Sequence, residues 1–139
     1  NIIGFPDETR ELAFDTIELN RRFNSDNTSC SILVPFHGTE LHSYAVKKGY
    51  LDPNVICAVS NSGESLLNMP QWDKKDMTRL RDVFAMYIKF PKDRWPEIKR
   101  AETDESLRIK LREEFVKTYW SDSNAKIEDD IAEAAKGLF

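Results

Sequence analysis

No apolar run in the chain approaches the roughly 18–20 residues that a membrane span requires. The N-terminus has no basic stretch leading into an apolar one, so no secretory leader is expected. A net charge of −4 leaves no basic footprint for nucleic acid and no polybasic segment for an anionic membrane. Cysteine is scarce. Cys30 and Cys57 are the two in 139 residues, without metal-ligand spacing or the density of a disulfide framework. A reducing, cytoplasmic setting is the default expectation, with both thiols buried and structural. Internal repeats and low-complexity segments are absent as well. What these absences leave is an ordinary soluble composition, long enough for one domain with one core.

Metal and nucleophile motifs are missing too. His37 and His42 stand five apart, which does not put them on one helical face as in H-E-x-x-H, and Cys30 adds no recognised ligand pattern. Ser29 and Ser31 lack a nucleophile elbow. The acidic cluster Glu128-Asp129-Asp130 lacks the loop pattern of an EF-hand and reads as a solvated helix face. Trp72, Trp95 and Trp120 fall near element ends, where an indole seals a core. No catalytic residue and no metal ligand are therefore expected in this chain.

What is present is a strand–turn–helix junction, twice. Ile2-Ile3-Gly4-Phe5-Pro6-Asp7-Glu8-Thr9 reads as a strand end, a Gly-Pro turn and a helix start. Thr9 or Asp7 can cap that helix, and Leu12, Thr16, Leu19 and Phe23, with Ala13 and Ile17 beside them, give it an amphipathic pattern over residues 9–23. A polar turn cluster, Asn24-Ser25-Asp26-Asn27, ends it. Residues 29–36 carry the strongest strand signal, with Cys30, Ile32, Val34 and Phe36 on one face and Leu33 on the other, as suits a parallel strand covered on both sides. Strand, helix, strand is a βαβ unit with an expected right-handed crossover. Gly38 then permits a turn, Thr39 caps a helix with Leu41, Tyr44, Ala45 and Val46, and Gly49 ends it.

Beyond residue 50 the pattern changes. Val55 opens a short apolar run to residue 59, a minor strand or buried loop, followed by a turn at residues 61–65. From Asp73 onward the spacing is helical. Asp73 can cap; Met77, Leu80, Phe84 and Tyr87 form a stripe; Phe90-Pro91 breaks it. A short helix carries Trp95, Ile98 and Ala101, another carries Leu107, Leu111, Phe115 and Tyr119, and Ile127, Ile131, Ala134 and Leu138 mark a last one after a turn at residues 121–124. The expected organisation is an α/β part, 1–69, and an all-helical part, 70–139.

In parallel α/β folds ligands bind at the carboxyl ends of the strands. Here those ends are Gly4-Phe5-Pro6-Asp7-Glu8 and Pro35-Phe36-His37-Gly38-Thr39, where glycine lets backbone approach a ligand and helix N-termini offer N–H groups. Glu8 suits either a polar pocket or the positive end of the helix; His37 sits on the same mouth or is an ordinary loop histidine.

Residues 2–9 resemble the I-x-G-F/L-P-x-E-T segment of radical S-adenosylmethionine enzymes, and residues 35–41 resemble their P-Y/F-P-G-T-x-L segment. Tyr44-Ala45 and Gly49-Tyr50-Leu51 are similar to its continuation, and residues 84–91 are similar to the C-terminal region of the subgroup that often carries a cobalamin-binding domain. The resemblance implies a fragment of a partial (β/α)6 TIM-like barrel, holding the fifth and sixth strands, with an all-helical C-terminal region. It implies S-adenosylmethionine, a 4Fe–4S cluster and possible cobalamin as cofactors of the intact parent, an Fe–S oxidoreductase or methyltransferase, with none bound to this fragment. By position it places Ile3, Gly4, Phe5, Pro6, Val34, Pro35 and Phe36, with Glu8 and His37 beside them, along the adenosine pocket. Asp7 and His37 depart from the Gly and Pro that the family often has. The C-x3-C-x2-C cluster motif is absent. The fragment is therefore expected to be inactive alone and to partner the missing N-terminal part of the same protein, around a small-molecule or lipid-like substrate of unknown identity. Exposed strand edges make a homodimer the expected state of the isolated piece. The alternative is a non-catalytic binding or assembly module built on a truncated barrel.

Overall fold

A computed structural model describes residues 1–23, 28–56 and 63–120. Strand β1 (Ile2–Ile3) leads through a tight loop into helix α1 (Arg10–Phe23), and strand β2 (Ser31–Ile32) leads likewise into α2 (Glu40–Lys47). The two strands pair in parallel, with Ile2 opposite Ser31 and Ile3 opposite Ile32. Helices α3 (Lys74–Lys89), α4 (Trp95–Ala101) and α5 (Glu105–Phe115) follow, α5 running on into a wide π turn at Val116–Trp120. The described residues are thus mostly helical around two parallel strands and do not themselves close a barrel. No helix among them is long and apolar enough to cross a membrane.

The ladder is shorter than the strand signal at 29–36 suggests. One further bond, Leu33 N–H to Ile3 C=O at 2.8 Å, extends it. Beyond that β1 turns away at Gly4, whose φ of +84° breaks the extended run, and Pro35 has no N–H to offer a ladder. Of the apolar run at 55–59, Val55 and Ile56 lie in a loop and the remainder, with Cys57, falls outside the described residues. So do the turn at 24–27, the residues from 121 onward and Glu128-Asp129-Asp130.

Side-chain caps set the starts of α2, α3 and α5. Thr39 Oγ1 accepts from the His42 N–H, Asp73 Oδ1 from Lys75 and Asp76, and Asp104 Oδ1 from Leu107. Gly49, with φ of +74°, returns its N–H to the Val46 carbonyl and closes α2. Helix α3 stops at Phe90, before Pro91. Its last turn is held by the Arg21 guanidinium, which donates to the carbonyls of Tyr87, Ile88 and Phe90 at 2.7–2.8 Å.

Helix α3 is the centre of the packing, touching β2, α1, α4 and α5. Met77, Leu80, Phe84 and Tyr87 are all buried, and each full burial of such a side chain is worth roughly 1.5–3 kcal/mol. Phe14, Tyr87 and Trp95 meet edge to face with centroids 5.0–5.6 Å apart, so the Trp95 indole does seal the core. Residues from both sides of position 70 share this core, Ile3, Ile17 and Ile32 with Leu80, Ile98 and Leu111. Helix α1 buries Ala13 and Ile17, while Leu12, Leu19 and Phe23 stand on its exposed face, Phe23 at 73%. The apolar stripe expected at Leu12, Thr16, Leu19 and Phe23 is therefore not the face that meets α3.

Candidate functional site

The in-register pairing brings the β1–α1 and β2–α2 loops side by side at the carboxyl ends of the strands. The first loop is wound tightly. Glu8 N–H returns to the Phe5 carbonyl at 2.9 Å, and the Glu8 carboxylate accepts from the N–H groups of Gly4 and Phe5 at 2.5 and 2.9 Å. Burial pushes the Glu8 carboxyl above its ordinary value, against the pull of the Phe5 and Gly4 N–H groups. Glu8 is thus an internal staple, and it takes up two backbone donors of the loop. Gly4 serves packing as well as turning: a Cβ there would stand 3.2 Å from Met77 Sδ and 3.5 Å from Ile32 Cγ2. Its bare side faces the core.

Asp7 has φ of +67°, a left-handed conformation that glycine adopts freely and aspartate tolerates. Its carboxylate reaches across to the second junction. Tyr44 donates a very short hydrogen bond to it, Tyr50 donates at 2.7 Å, and Lys48 Nζ stands at 3.3–3.4 Å. The Tyr44 phenol, then Tyr50, hold Asp7 below its ordinary carboxylate value, with Lys48 adding to them and the slight burial opposing.

The nine residues expected along the pocket divide by exposure. Ile3, Gly4 and Pro35 are buried; Pro6, Glu8 and Val34 are half-buried; Phe5, Phe36 and His37 are open to solvent. Phe5 at 40% and Phe36 at 45% leave one uncovered aromatic ring in each of the two loops. His37 Nε2 pairs with the Val55 carbonyl at 2.9 Å, and its ring packs at a tilt against His42 with centroids 4.3 Å apart. Sequence spacing hid that contact, because His37 lies in the turn before α2 and not on the helix. Among the described residues no three His, Cys, Asp or Glu side chains stand together as metal ligands. Burial pushes the Cys30 thiol up to about 12, so it is protonated at neutral pH.

Beside the first loop lies an open cleft of about 450 Å³ lined by Glu64, Asn68, Met69, Trp72, Lys74 and Lys75, among others. Gln71 joins it to the loop by donating to the Glu8 carbonyl at 3.1 Å. Behind the junction, Arg10 at the start of α1 is gripped from two sides. Asp76 takes it at 2.8 Å while also accepting from the Trp72 indole, and Glu102 takes it at 2.7 Å while accepting from Tyr87 and Lys99. Glu102 is 2% exposed. Burial would raise Asp76, but the Arg10 guanidinium and the Trp72 indole outweigh it and hold the carboxyl below its ordinary value. This network fixes the first turn of α1, and with it the loop above. Its partners lie 66 and 92 residues apart, and no local pattern announces them.

No protein-family model matches the chain, and no solved structure matches it. Over 50 residues the chain is 42% identical to an uncharacterized methyltransferase of Pyrococcus horikoshii. That stretch is 36% of this chain and 11% of the relative, so the chain spans a small part of the protein it is similar to.

Proposed function

We propose that the chain is part of an S-adenosylmethionine-dependent enzyme of the methyl-transfer type, in which the loops at residues 4–8 and 34–37 form one wall of the adenosine pocket. The observation that carries the reading is the pairing of β1 and β2, which sets side by side the two loops that carry exposed Phe5 and Phe36. A flat purine stacks on such rings, and stacking of this kind is worth about 1–3 kcal/mol per base. The similarity to a methyltransferase supports it. Ile3, Gly4 and Pro35 act from beneath, as the packed floor of the two loops. Phe5, Pro6, Val34, Phe36 and His37 offer side chains to the ligand.

The finer reading is a radical S-adenosylmethionine enzyme with a linked cobalamin domain, and it rests on the order of the two motif segments. The iron–sulfur cluster does not fit this chain's own residues: C-x3-C-x2-C is absent from the sequence, and Cys30 is a half-buried thiol that is protonated at neutral pH. On this reading the cluster and any cobalamin belong to other parts of the parent, which also complete the substrate site. An assembly module is the second reading, favoured by the exposed face of Leu12, Leu19 and Phe23 on α1. A concentration-dependent dimer in sedimentation, lost in Leu19→Lys, supports that one.

The test is equilibrium binding of S-adenosylhomocysteine to the 139-residue chain by calorimetry. Phe36→Ala and Phe5→Ala are each expected to weaken binding by about tenfold, from loss of a stacking surface. Binding that neither substitution changes, or methionine bound as tightly as the nucleoside form, would overturn the proposal.

A further inference from the structure

The carboxylate of Asp7, in the first strand–loop–helix junction, meets the second through several donors at once. Its own backbone belongs to the β1–α1 loop. Tyr44 and Lys48 belong to α2 and its cap, and Tyr50 to the turn that follows. Tyr50 is also tied into the chain beyond, through its N–H to Ala45 and its carbonyl to Asn68. The Lys48 ammonium lies over the Tyr44 ring at 5.3 Å, so the donors brace one another. The ladder itself offers little to hold the junctions in place, since each strand is two residues long.

We infer that Asp7 is a positioning residue: by gathering Tyr44, Lys48 and Tyr50, it clasps α2 onto the β1–α1 loop and sets the separation of the loops that carry Phe5 and Phe36. The clasp stands on geometry alone; its consequence for ligand rests on the adenosine-pocket reading above. The backbone explains why this residue can do it. At φ of +67° glycine would be easier, yet glycine would supply no acceptor. The left-handed conformation at Asp7 is thus accepted in exchange for a carboxylate aimed at the neighbouring junction. The charged and titratable groups facing it are Tyr44, Lys48 and Tyr50, so the clasp is closed while Asp7 is ionised and opens as the pH falls below the carboxylate range.

Asp7→Gly isolates the carboxylate, because glycine keeps the turn. Amide hydrogen exchange of the 139-residue chain reads the result. The Lys48 and Tyr50 N–H groups, bonded to Tyr44 and Ala45, are expected to exchange about three- to tenfold faster, with Met77 in α3 and Phe90 at its cap unchanged. Asp7→Asn, which tolerates the backbone and keeps one acceptor, falls between. Acetate, which replaces the lost carboxymethyl group, restores protection in Asp7→Gly, whereas chloride at equal ionic strength does not. Unchanged exchange in α2, or an equal rise in α3, overturns the clasp. Binding of S-adenosylhomocysteine separates the two claims. If the wild type does not bind but the exchange result holds, the pocket reading fails and the clasp stands. If the wild type binds and Asp7→Gly binds equally well, the positioning role fails and the pocket stands.

Discussion

Glu102 is a buried carboxylate that ties three helices together behind the site, meeting Arg10 of α1, Tyr87 of α3 and Lys99 of α4. It is 2% exposed and accepts from Arg10 at 2.7 Å, Tyr87 at 2.6 Å and Lys99 at 2.9 Å. Glu102→Gln keeps the shape and removes the charge. Breaking a buried ion pair from one side costs about 3–5 kcal/mol. Here the cost is reduced, because Arg10 keeps Asp76 and the half-exposed Lys99 returns to water. A loss of about 2–3 kcal/mol is expected for Glu102→Gln, and about 3–5 kcal/mol for Glu102→Ala, which also leaves the Tyr87 hydroxyl unpaired. Urea unfolding followed by tryptophan emission is the assay, since the Trp72 indole is bonded to Asp76 within the same network. With a slope of about 1–2 kcal/mol/M, the Gln variant's midpoint should fall by roughly 1–3 M. A cycle with Arg10→Met should show a coupling of about 1–3 kcal/mol. A midpoint shift below roughly 0.3 M, or strictly additive effects, would refute the view that this network anchors α1.

Three further outcomes follow from the two loops. Gly4→Ala is expected to cost about 2–3 kcal/mol in thermal or urea unfolding, combining a left-handed backbone with a 3.2 Å approach to Met77. Gly38→Ala, with φ of +83° and open space around it, should cost only about 1 kcal/mol. Glu8 has a raised carboxyl, so its protonation favours the folded state: its contribution is complete below the unfolded value of 4.5 and is lost as pH rises through the folded value. Glu8→Gln removes that titration. Its stability relative to wild type should be higher at pH 7 than at pH 4 in urea unfolding, and a pH-independent difference would count against the assignment.

Local chemistry made much of the fold legible in the sequence. Thr39 and Asp73 read as caps because a short polar side chain before a helical stripe has few other uses, and both accept the expected N–H groups. The Met77, Leu80, Phe84, Tyr87 stripe is buried as its spacing indicates. The strand signal at 29–36 exceeds the ladder because apolar alternation reports burial, while a ladder needs a partner, and β1 leaves the sheet at Gly4. The face of α1 was misassigned for a related reason: Leu12, Leu19 and Phe23 share a stripe, but Ala13 and Ile17 let the helix approach α3. The Asp7 clasp, the Arg10–Glu102 network and the His37–His42 contact are long-range or cross-element pairings with no periodic signature, so they emerge only with the fold.

The central claim concerns where a nucleoside would sit, and amide chemical-shift mapping of the chain with S-adenosylhomocysteine tests it most directly. The expected result is perturbation of Phe5, Glu8, Val34, Phe36 and His37, with the cleft at Asn68, Trp72, Lys74 and Lys75 unmoved. Shifts confined to that cleft, or none anywhere at saturating ligand, would contradict it.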